Sequence, residues 1–220
     1  MATALVTGSN RGIGLALVKL LKARGDTVIA ACRHEAPELS ALGVEIASGV
    51  DVASDESLNA LAEKLQGRDL GLLINNAGIL SVESLEKLDL AAIQRQMEVN
   101  AYGPLRVTEK LLPRLARGSK IALITSRMGS IGDNGSGGYY GYRMSKAALN
   151  AAGKSLAIDL APRGISVAIL HPGMVKTAMT GSHGKVEPED AARDLLARID
   201  ALNLENTGTF WHANGEVLPW

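Results

Sequence analysis

Short apolar runs alternate with amphipathic stretches along the chain. The apolar runs, each predicted to be a β-strand, cover residues 2–6, 27–31, 44–47, 70–74, 121–125 and 165–170. The run over 70–74 is too hydrophobic for a sheet face in water, which predicts a central parallel strand. Apolar residues at helical spacing lie between the runs. This alternation predicts one α/β domain over residues 1–220, doubly wound, with helices flanking a central parallel sheet of about seven strands.

Two long helices and a glycine-rich segment follow in the middle of the chain. The first helix is predicted over 88–112 and carries the polar Asn100 among core-facing residues, with a local kink near Gly103. From 129 to 141, six of thirteen positions are glycine, which predicts a mobile loop. The loop fits either a substrate lid or an inert surface excursion. The second helix is predicted over about 140–160.

The last third of the chain continues the same pattern. A helix is predicted from about Pro188, and Asn214-Gly215 predicts a hairpin-type turn after the segment 208–213. Small residues on the 140–160 helix would allow it to pack tightly on the sheet or on a partner helix. They are Ala147, Ala148, Ala151 and Ala152.

The composition excludes several classes of function. Lys plus Arg and Asp plus Glu number 23 each, so no net charge draws the chain to nucleic acid or to an anionic membrane, although a local basic patch is the alternative. Cys32 is the single cysteine, and the four histidines never approach ligand spacing, which argues against a metal site. Met1 leads directly into a strand pattern without a basic flank or a long apolar run. We therefore expect a cytoplasmic protein that uses no metal, nucleic acid or membrane.

A glycine turn joins the first predicted strand to the first predicted helix. Its sequence is Thr7-Gly8-Ser9-Asn10-Arg11-Gly12-Ile13-Gly14. Such a turn lets the backbone approach a pyrophosphate closely and offers free N–H groups at the positive end of a helix. The glycine spacing differs from the general dinucleotide fingerprint, and a simple tight turn is the alternative.

Charges after the second predicted strand favour NADP over NAD. An NAD site would keep an acidic residue there to hold the ribose 2′-hydroxyl, but the strand ends in Cys32-Arg33-His34. The Arg33 guanidinium suits a 2′-phosphate, and Arg11 could supply a second positive charge. Both arginines could instead be ordinary surface charges.

Two further segments follow strands at the expected ligand edge of the sheet. Asp51, after the third strand, could accept a hydrogen bond from an adenine amino group, or it could begin the turn before a helix that Ser54 or Asp55 would cap. The small-residue run Asn75-Asn76-Ala77-Gly78 leaves the fourth strand at the carboxyl end, where ligands bind in open α/β sheets.

We place the chemistry at Tyr142 and Lys146. A helix puts residues four apart on the same face, so the ammonium should lie near the phenol. A neighbouring cation lowers a phenol's pKa, which is expected to bring the Tyr142 pKa toward the range useful for acid–base catalysis. Ser126 lies at the other end of the glycine loop. Taken alone, the pair favours a packed tyrosine with a solvated lysine, so the assignment depends on the surrounding motifs.

Seven motifs lie in order along nearly the whole chain. They are Thr7-x3-Gly12-Ile13-Gly14, Asp51, Asn75-Asn76-Ala77-Gly78, Asn100, Ser126, Tyr142-x3-Lys146 and Pro172-Gly173. This set resembles the short-chain dehydrogenase/reductase family, which has a Rossmann fold. The run over 137–150, with the Asn-Gly turn and Trp220, looks most like the C-factor and sniffer-type carbonyl reductases.

The resemblance implies roles for four catalytic residues. Tyr142 would exchange a proton with the substrate oxygen while Ser126 hydrogen-bonds that oxygen. Lys146 would hold the nicotinamide ribose hydroxyls and lower the Tyr142 pKa. Asn100 would interrupt its helix so that a carbonyl anchors a water near Lys146. These roles suit hydride transfer to a carbonyl, which builds an alkoxide that needs a donor placed in advance.

The same resemblance, with the turn chemistry, gives a set of residues expected to bind NADP(H). Pro172, Gly173 and Thr177 would line the pocket of the nicotinamide amide. The full set is Gly8, Asn10, Arg11, Gly12, Ile13, Gly14, Arg33, Asp51, Val52, Asn76, Ala77, Gly78, Tyr142, Lys146, Pro172, Gly173, Val175 and Thr177.

Departures from the family pattern concern the substrate side. Ser126 and Tyr142 are 16 residues apart, a longer gap than is usual in the family. The segment between Thr177 and Pro188 is short for a substrate lid, which implies an open pocket of low selectivity. Its expected border is Met128, Tyr139, Met174 and Met179.

The sequence thus favours an NADP-dependent reductase of carbonyl compounds that also oxidises alcohols. The rival interpretation, which the C-factor resemblance admits, is a nucleotide-binding signalling or regulatory protein with little turnover. Many family relatives associate through the helices bearing Asn100 and Tyr142. The resemblance therefore admits a homodimer or a higher homo-oligomer, although the alanines of the second helix also fit a monomer.

Overall fold

A parallel β-sheet forms the centre of the molecule. The computed structural model describes residues 2–181 and 183–220; Met1 and Ser182 lie outside the described residues. Within that part of the chain, seven strands pair in the order β3-β2-β1-β4-β5-β6-β7, all parallel. The strands are β1 (Thr3–Thr7), β2 (Thr27–Cys32), β3 (Glu45–Ser48), β4 (Leu70–Asn75), β5 (Leu115–Ile124), β6 (Ser166–His171) and β7 (Phe210–His212). The predicted fold class is confirmed.

Helices connect the strands and cover both faces of the sheet. They are α1 (Gly12–Ala23), α2 (Pro37–Ser40), α3 (Asp55–Lys64), α4 (Leu90–Met97), α5 (Gly103–Leu111), α6 (Tyr140–Leu160) and α7 (Pro188–Asp200). Ser54 caps α3, as predicted, because its side chain accepts a hydrogen bond from the Ser57 N–H at 3.2 Å. The prediction of one kinked helix over 88–112 was wrong in detail. A π-helical turn, Glu98–Tyr102, separates α4 from α5 and contains Asn100.

The hydrophobic core has two halves because neighbouring strand residues point to opposite faces. Leu5 and Leu73 face one layer, which contains α3, α5 and α6. Val6 and Ile74 face the other layer, which contains α1 and α7. Helices thus cover both faces of the sheet, which explains why the central strands appear in the sequence as continuous apolar runs.

Helix α6 lies close to the sheet because a glycine faces it. A Cβ at Gly153 would come within 2.8 Å of the Ile169 and Leu123 side chains, so a larger residue there would push the helix outward. The expected tight packing is therefore made by Gly153. Ala151, one of the alanines proposed for this role, is exposed.

Two further features concern the edges of the predicted elements. Strand β5 begins six residues before the predicted start at 121. The prediction was wrong there because the polar segment 117–120 interrupts the apolar pattern of the strand. After Asn214-Gly215, an antiparallel bridge joins Trp211 to Val217, which agrees with the predicted hairpin-type turn. Among the described residues, no helix combines the length and apolar character needed to span a bilayer.

Candidate active site

The carboxyl ends of the central strands open into one cavity of about 720 Å³. All the residues predicted to bind a cofactor contribute to its wall. They are Gly8, Asn10, Arg11, Gly12, Ile13, Gly14, Arg33, Asp51, Val52, Asn76, Ala77, Gly78, Tyr142, Lys146, Pro172, Gly173, Val175 and Thr177. Ser126 also lines the cavity, whereas Asn100 lies behind it. The fold therefore brings together residues as distant in the chain as Gly8 and Thr177, which are 169 positions apart.

The glycine turn forms one end of the cavity, and its conformation requires glycine. Gly8 and Gly12 have φ values of +65° and +54°. A Cβ at Gly14 would overlap the Gly8 carbonyl oxygen, so the turn leaves no room for a side chain there. The Asn76 side chain closes the turn by donating to the carbonyl oxygens of Thr7 and Gly8, at 3.0 and 3.1 Å.

The N-terminus of α1 points its free N–H groups at this end of the cavity. Helix α1 begins at Gly12 with no side-chain cap and no acidic residue in its first turn. The unpaired N–H groups and the helix dipole favour an anion such as a pyrophosphate. The tight glycine turn and the open helix end therefore fit a dinucleotide.

The end of β2 lies beside the glycine turn. Asn10 donates from its side chain to the His34 carbonyl oxygen at 2.9 Å, which ties the two segments together. Arg11 and Arg33 are both exposed at this edge of the cavity, and residues 32–34 contain no acid. Two positive charges in this position suit a phosphate on the adenosine ribose.

Asp51 makes a hydrogen bond that stabilises the turn before α3, and this was one of its two predicted roles. Its Oδ1 accepts a hydrogen bond from the Ala53 N–H at 2.9 Å, and its own N–H donates to Ser57 Oγ at 2.8 Å. The carboxylate still lines the cavity. Its predicted contact with an adenine amino group stays a prediction.

Three polar side chains converge at the other end of the cavity, and all are almost completely buried. Ser126 is the second residue after β5, Tyr142 is the third residue of α6, and Lys146 lies one turn further along. The Lys146 ammonium lies 5.7 Å from the centroid of the Tyr142 ring and donates to the Ile124 carbonyl oxygen at 2.9 Å. The hydroxyl, phenol and ammonium thus share the cavity that contains the glycine turn.

Burial controls the protonation of this pair. It raises the pKa of Tyr142 to about 12, against a smaller lowering by the Ser126 hydroxyl. It lowers the pKa of Lys146 to about 8. The expectation that Lys146 would bring the Tyr142 pKa toward neutrality is therefore wrong, because burial disfavours the charged phenolate and raises the pKa. The phenol is protonated at neutral pH.

Asn100 supports the site from behind, in the π-helical turn. Its Oδ1 accepts from the Ile79 N–H, and its Nδ2 donates to the Ile79 carbonyl oxygen, both at 2.8 Å. Nδ2 also donates to Ser145 Oγ at 3.0 Å, and that hydroxyl donates to the Tyr142 carbonyl oxygen at 2.9 Å. A Cβ built at Gly78 would lie 3.3 Å from Asn100 Oδ1 and 3.7 Å from Lys146 Nζ, so both groups lie close to Gly78.

The segment after β6 closes the cavity over the glycine turn. A short 3₁₀ turn, Ala178–Thr180, follows Thr177, whose N–H donates to Thr180 Oγ1 at 3.1 Å. A Cβ at Gly12 would lie 3.3 Å from Thr177 Cγ2, so this segment reaches across to the start of α1. Of the residues expected to border a substrate, Met179 lines the cavity, whereas Met128, Tyr139 and Met174 lie outside its wall.

Some buried polar residues near the site were not predicted. His171 lines the cavity, its Nδ1 is buried without a partner among the described residues, and its ring meets His212 edge-on at 4.9 Å. Burial, with help from His212 and Arg127, lowers the pKa of His171 to about 3, so its imidazole is neutral at physiological pH. Ser145, within α6, and Glu83 and Gln96, next to its first turn, are also buried. Of these, Ser145 alone had a sequence signal, since it stands inside the Tyr142-x3-Lys146 motif.

The amino-acid sequence is similar to a known protein family and to two named relatives. The family model described as short chain dehydrogenase matches residues 2–188. The 1-hydroxy-2-glutathionyl-2-methyl-3-butene dehydrogenase of Rhodococcus sp. (strain AD45) is 44% identical over 226 residues, covering the whole of both chains. The C-signal protein of Myxococcus xanthus is 43% identical over 166 residues, which is 74% of this chain and 100% of that protein.

Solved structures of similar fold include two carbonyl reductases. The carbonyl reductase Sniffer of D. melanogaster superposes with a TM-score of 0.94 at 31% identity over the whole of both chains. An NADPH-bound carbonyl reductase from chicken fatty liver has a TM-score of 0.91 at 30% identity, covering 100% of this chain and 99% of that one. The similarity of fold therefore extends over the whole of this chain.

Proposed function

This chain belongs to the short-chain dehydrogenase family, and we propose from that premise that it transfers a hydride between NADP(H) and a carbonyl or alcohol substrate. One observation carries the proposal: Ser126, Tyr142 and Lys146 converge in the same cavity as an anion-binding glycine turn. A cofactor bound along this cavity would span from the turn to the three polar side chains. The carbonyl reductases of similar fold, one of them NADPH-bound, support this choice of chemistry.

In the reductive direction, the chain must supply a hydrogen bond and a proton to the substrate oxygen. Bound NADPH would supply the hydride. As negative charge develops on the substrate oxygen, the Ser126 hydroxyl would donate a hydrogen bond to it. Tyr142 would then donate its phenolic proton, and the pKa of about 12 ensures that this proton is present at neutral pH. Burial of both residues excludes water from the reacting oxygen.

Lys146 and Asn100 would support the proton donor. One of the three N–H donors of the Lys146 ammonium is used by the Ile124 carbonyl oxygen, which leaves two for the ribose hydroxyls of the cofactor. The positive charge would stabilise the Tyr142 phenolate that forms when the proton leaves. Asn100 holds the segment after β4 and the first turns of α6 in place through Ile79 and Ser145.

The preference for NADP(H) rests on Arg11 and Arg33. The tie between Asn10 and the His34 carbonyl oxygen brings the two arginine-bearing segments together at one edge of the cavity. A guanidinium forms two parallel hydrogen bonds with a phosphate, which the 2′-hydroxyl of NAD cannot match.

A direct test is a screen for oxidation of NADPH and NADH with aldehydes, ketones and quinones. The reverse reaction should be screened with alcohols, including an alcohol carried on a glutathione conjugate, the substrate type named for the Rhodococcus relative. We expect NADPH oxidation with at least one carbonyl compound and a lower KM for NADPH than for NADH. Cofactor binding without turnover of any compound would contradict the proposal.

The second candidate is a signalling or regulatory protein that binds the nucleotide without significant turnover. The 43% identity to C-signal favours it. The complete set of Ser126, Tyr142 and Lys146 in one cavity argues for the enzyme, because a sensor needs no proton donor at the substrate position. A dissociation constant for NADPH measured beside the activity screen separates the two candidates.

A further inference from the structure

A buried carboxylate lies at the N-terminus of the helix that bears Tyr142. Glu83 belongs to the segment between β4 and α4 and is 2% exposed, whereas all the residues that follow it from 84 to 90 are exposed. Within residues 2–181 and 183–220, Glu83 takes part in no ion pair. Carboxylates are seldom fully buried unless they are paired or well hydrogen-bonded. This one therefore has a specific role.

Three hydrogen bonds to the Glu83 carboxylate hold three separate segments together. Oε1 accepts from Ser81 Oγ at 2.6 Å and from Gln96 Nε2 at 2.8 Å. Oε2 accepts from the Gly141 N–H at 3.2 Å. The last bond satisfies a free N–H in the first turn of α6, at the positive end of a 21-residue helix. The carboxylate thus links this turn to α4.

The first turn of α6 has little freedom to move elsewhere. A Cβ at Gly141 would overlap Gln96 Nε2 and would lie 3.0 Å from the Ile93 Cα, so the two helices touch at this point. Tyr139, just before the helix, has φ of +51°, a conformation that is strained for a residue with a side chain. Its N–H donates to the Glu83 carbonyl oxygen at 3.0 Å, which helps to hold that conformation. Tyr142 is the next residue after Gly141.

Gln96, in α4, and Asn100, in the π-helical turn that follows α4, extend this arrangement. They are four residues apart and both are 0% exposed. Gln96 Oε1 accepts from the Ser81 N–H at 3.1 Å, and Asn100 holds both backbone groups of Ile79. The segment 79–83 is therefore fixed to the π-helical turn at Ile79 and to α4 at Glu83, and through Glu83 it fixes the start of α6.

We propose that Glu83 is a positioning residue: its buried carboxylate holds the first turn of α6 so that the Tyr142 phenol lies beside Ser126. This inference rests on the proposed function, because it assigns Tyr142 the part of proton donor. Glu83 itself does not reach the substrate oxygen. It acts through the Gly141 N–H and through Gln96.

Glu83→Gln tests the inference with little change of shape. An amide has one oxygen, so the –NH₂ group must face either the Gly141 N–H or the donors of Ser81 and Gln96, and donor would meet donor in both cases. We expect turnover per NADPH-binding site to fall about 10- to 100-fold, as small misplacements of a catalytic group do. The NADPH dissociation constant should stay within about 2-fold. Glu86→Gln, an exposed change in the same segment, is the matched control.

The double variant Glu83→Gln with Gln96→Glu is the second test. In this variant the amide at position 83 donates to the carboxylate at position 96, so the hydrogen bond between the two side chains is kept with its direction reversed. The amide oxygen at position 83 can then accept from the Gly141 N–H. We expect it to recover most of the lost turnover. A merely destabilising change would lower the melting temperature of both variants without this recovery.

Hydrogen–deuterium exchange of the peptide covering 139–146 gives a readout that does not depend on turnover. Exchange should be faster in Glu83→Gln than in the parent chain and the Glu86→Gln control. Turnover of Glu83→Gln equal to that of the control overturns the inference, and so does unchanged exchange. If the parent chain turns over no substrate, the proposed function fails, and the exchange experiment alone still decides whether Glu83 fixes this turn.

Discussion

Replacing Lys146 with methionine should stabilise the cofactor-free fold at neutral pH, and this gain should shrink as the pH rises. Lys146 is 4% exposed, and burial lowers its pKa from 10.5 to about 8. Each pKa unit corresponds to about 1.4 kcal/mol, so the buried charge destabilises the fold by roughly 3 kcal/mol at pH 7. Methionine fills a similar space without a charge.

The net gain is smaller because one hydrogen bond is lost. Lys146 donates to the Ile124 carbonyl oxygen at 2.9 Å, and leaving that oxygen without a partner costs about 1–2 kcal/mol. We therefore expect the Lys146→Met variant to be more stable than the parent by about 1–2 kcal/mol at pH 7.

The pH dependence follows from the direction of the Lys146 shift. Between about pH 8 and pH 10.5, the unfolded chain holds a proton on Lys146 that the folded chain has lost. The stability of the parent therefore rises with pH in this window, and the advantage of the variant disappears. Tyr142 acts in the opposite direction, because its pKa is raised from 10.0 to about 12, but only above about pH 10. The interval from pH 8 to pH 10 thus reports mainly on Lys146.

Urea unfolding of both proteins without cofactor, at several pH values from 7 to 10, measures this effect. The pKa of Lys120 is also lowered by burial, but both proteins contain Lys120, so its contribution cancels in the difference. Lys154→Met, an exposed change on the same helix, controls for the loss of one ammonium from α6. A stability difference between parent and Lys146→Met that stays constant from pH 7 to pH 10 would refute the reasoning.

Two further predictions concern the cofactor. Arg33→Ala should raise the KM for NADPH about tenfold, because it removes an exposed charge-assisted contact of about 1–2 kcal/mol. The KM for NADH should stay within about 2-fold. If steady-state kinetics show an unchanged preference for NADPH, Arg33 does not bind the 2′-phosphate. Gly14→Ala would place a Cβ against the Gly8 carbonyl oxygen, inside the contact distance of the two atoms. It should lower the free energy of unfolding by about 1–3 kcal/mol and abolish NADPH binding measured by fluorescence, whereas retained tight binding would contradict the geometry of the turn.

Much of the fold could be predicted because its signals are local. The central strands are buried on both faces and therefore appear as apolar runs, and the predicted bounds of α6 agree with the structure. The first half of β5 was missed because the polar segment 117–120 interrupts the apolar pattern. The interruption of the helix at Asn100, which only the family resemblance predicted, is confirmed and takes the form of a π-helical turn, Glu98–Tyr102.

The site residues that could be predicted belong to local sequence motifs, whereas those that were missed depend on contacts between distant parts of the chain. The glycine turn and the Tyr142–Lys146 pair are short motifs, so they were visible in the sequence. Glu83 lies in a polar segment that resembles an ordinary exposed loop, and its burial depends on a contact with Gly141, 58 residues away. Whether the pKa of Tyr142 is raised or lowered depends on how deeply the phenol is buried. The spacing between Tyr142 and Lys146 does not determine that burial.

The most direct test of the central claim is the turnover of Tyr142→Phe with NADPH and a carbonyl substrate found in the screen. The substitution removes only the phenolic oxygen. We expect turnover to fall by about 10²- to 10⁴-fold, the usual contribution of a positioned acid, while the NADPH dissociation constant stays within a few-fold. Turnover that remains near the parent value would contradict the assignment of Tyr142 as the proton donor, and with it the proposed mechanism.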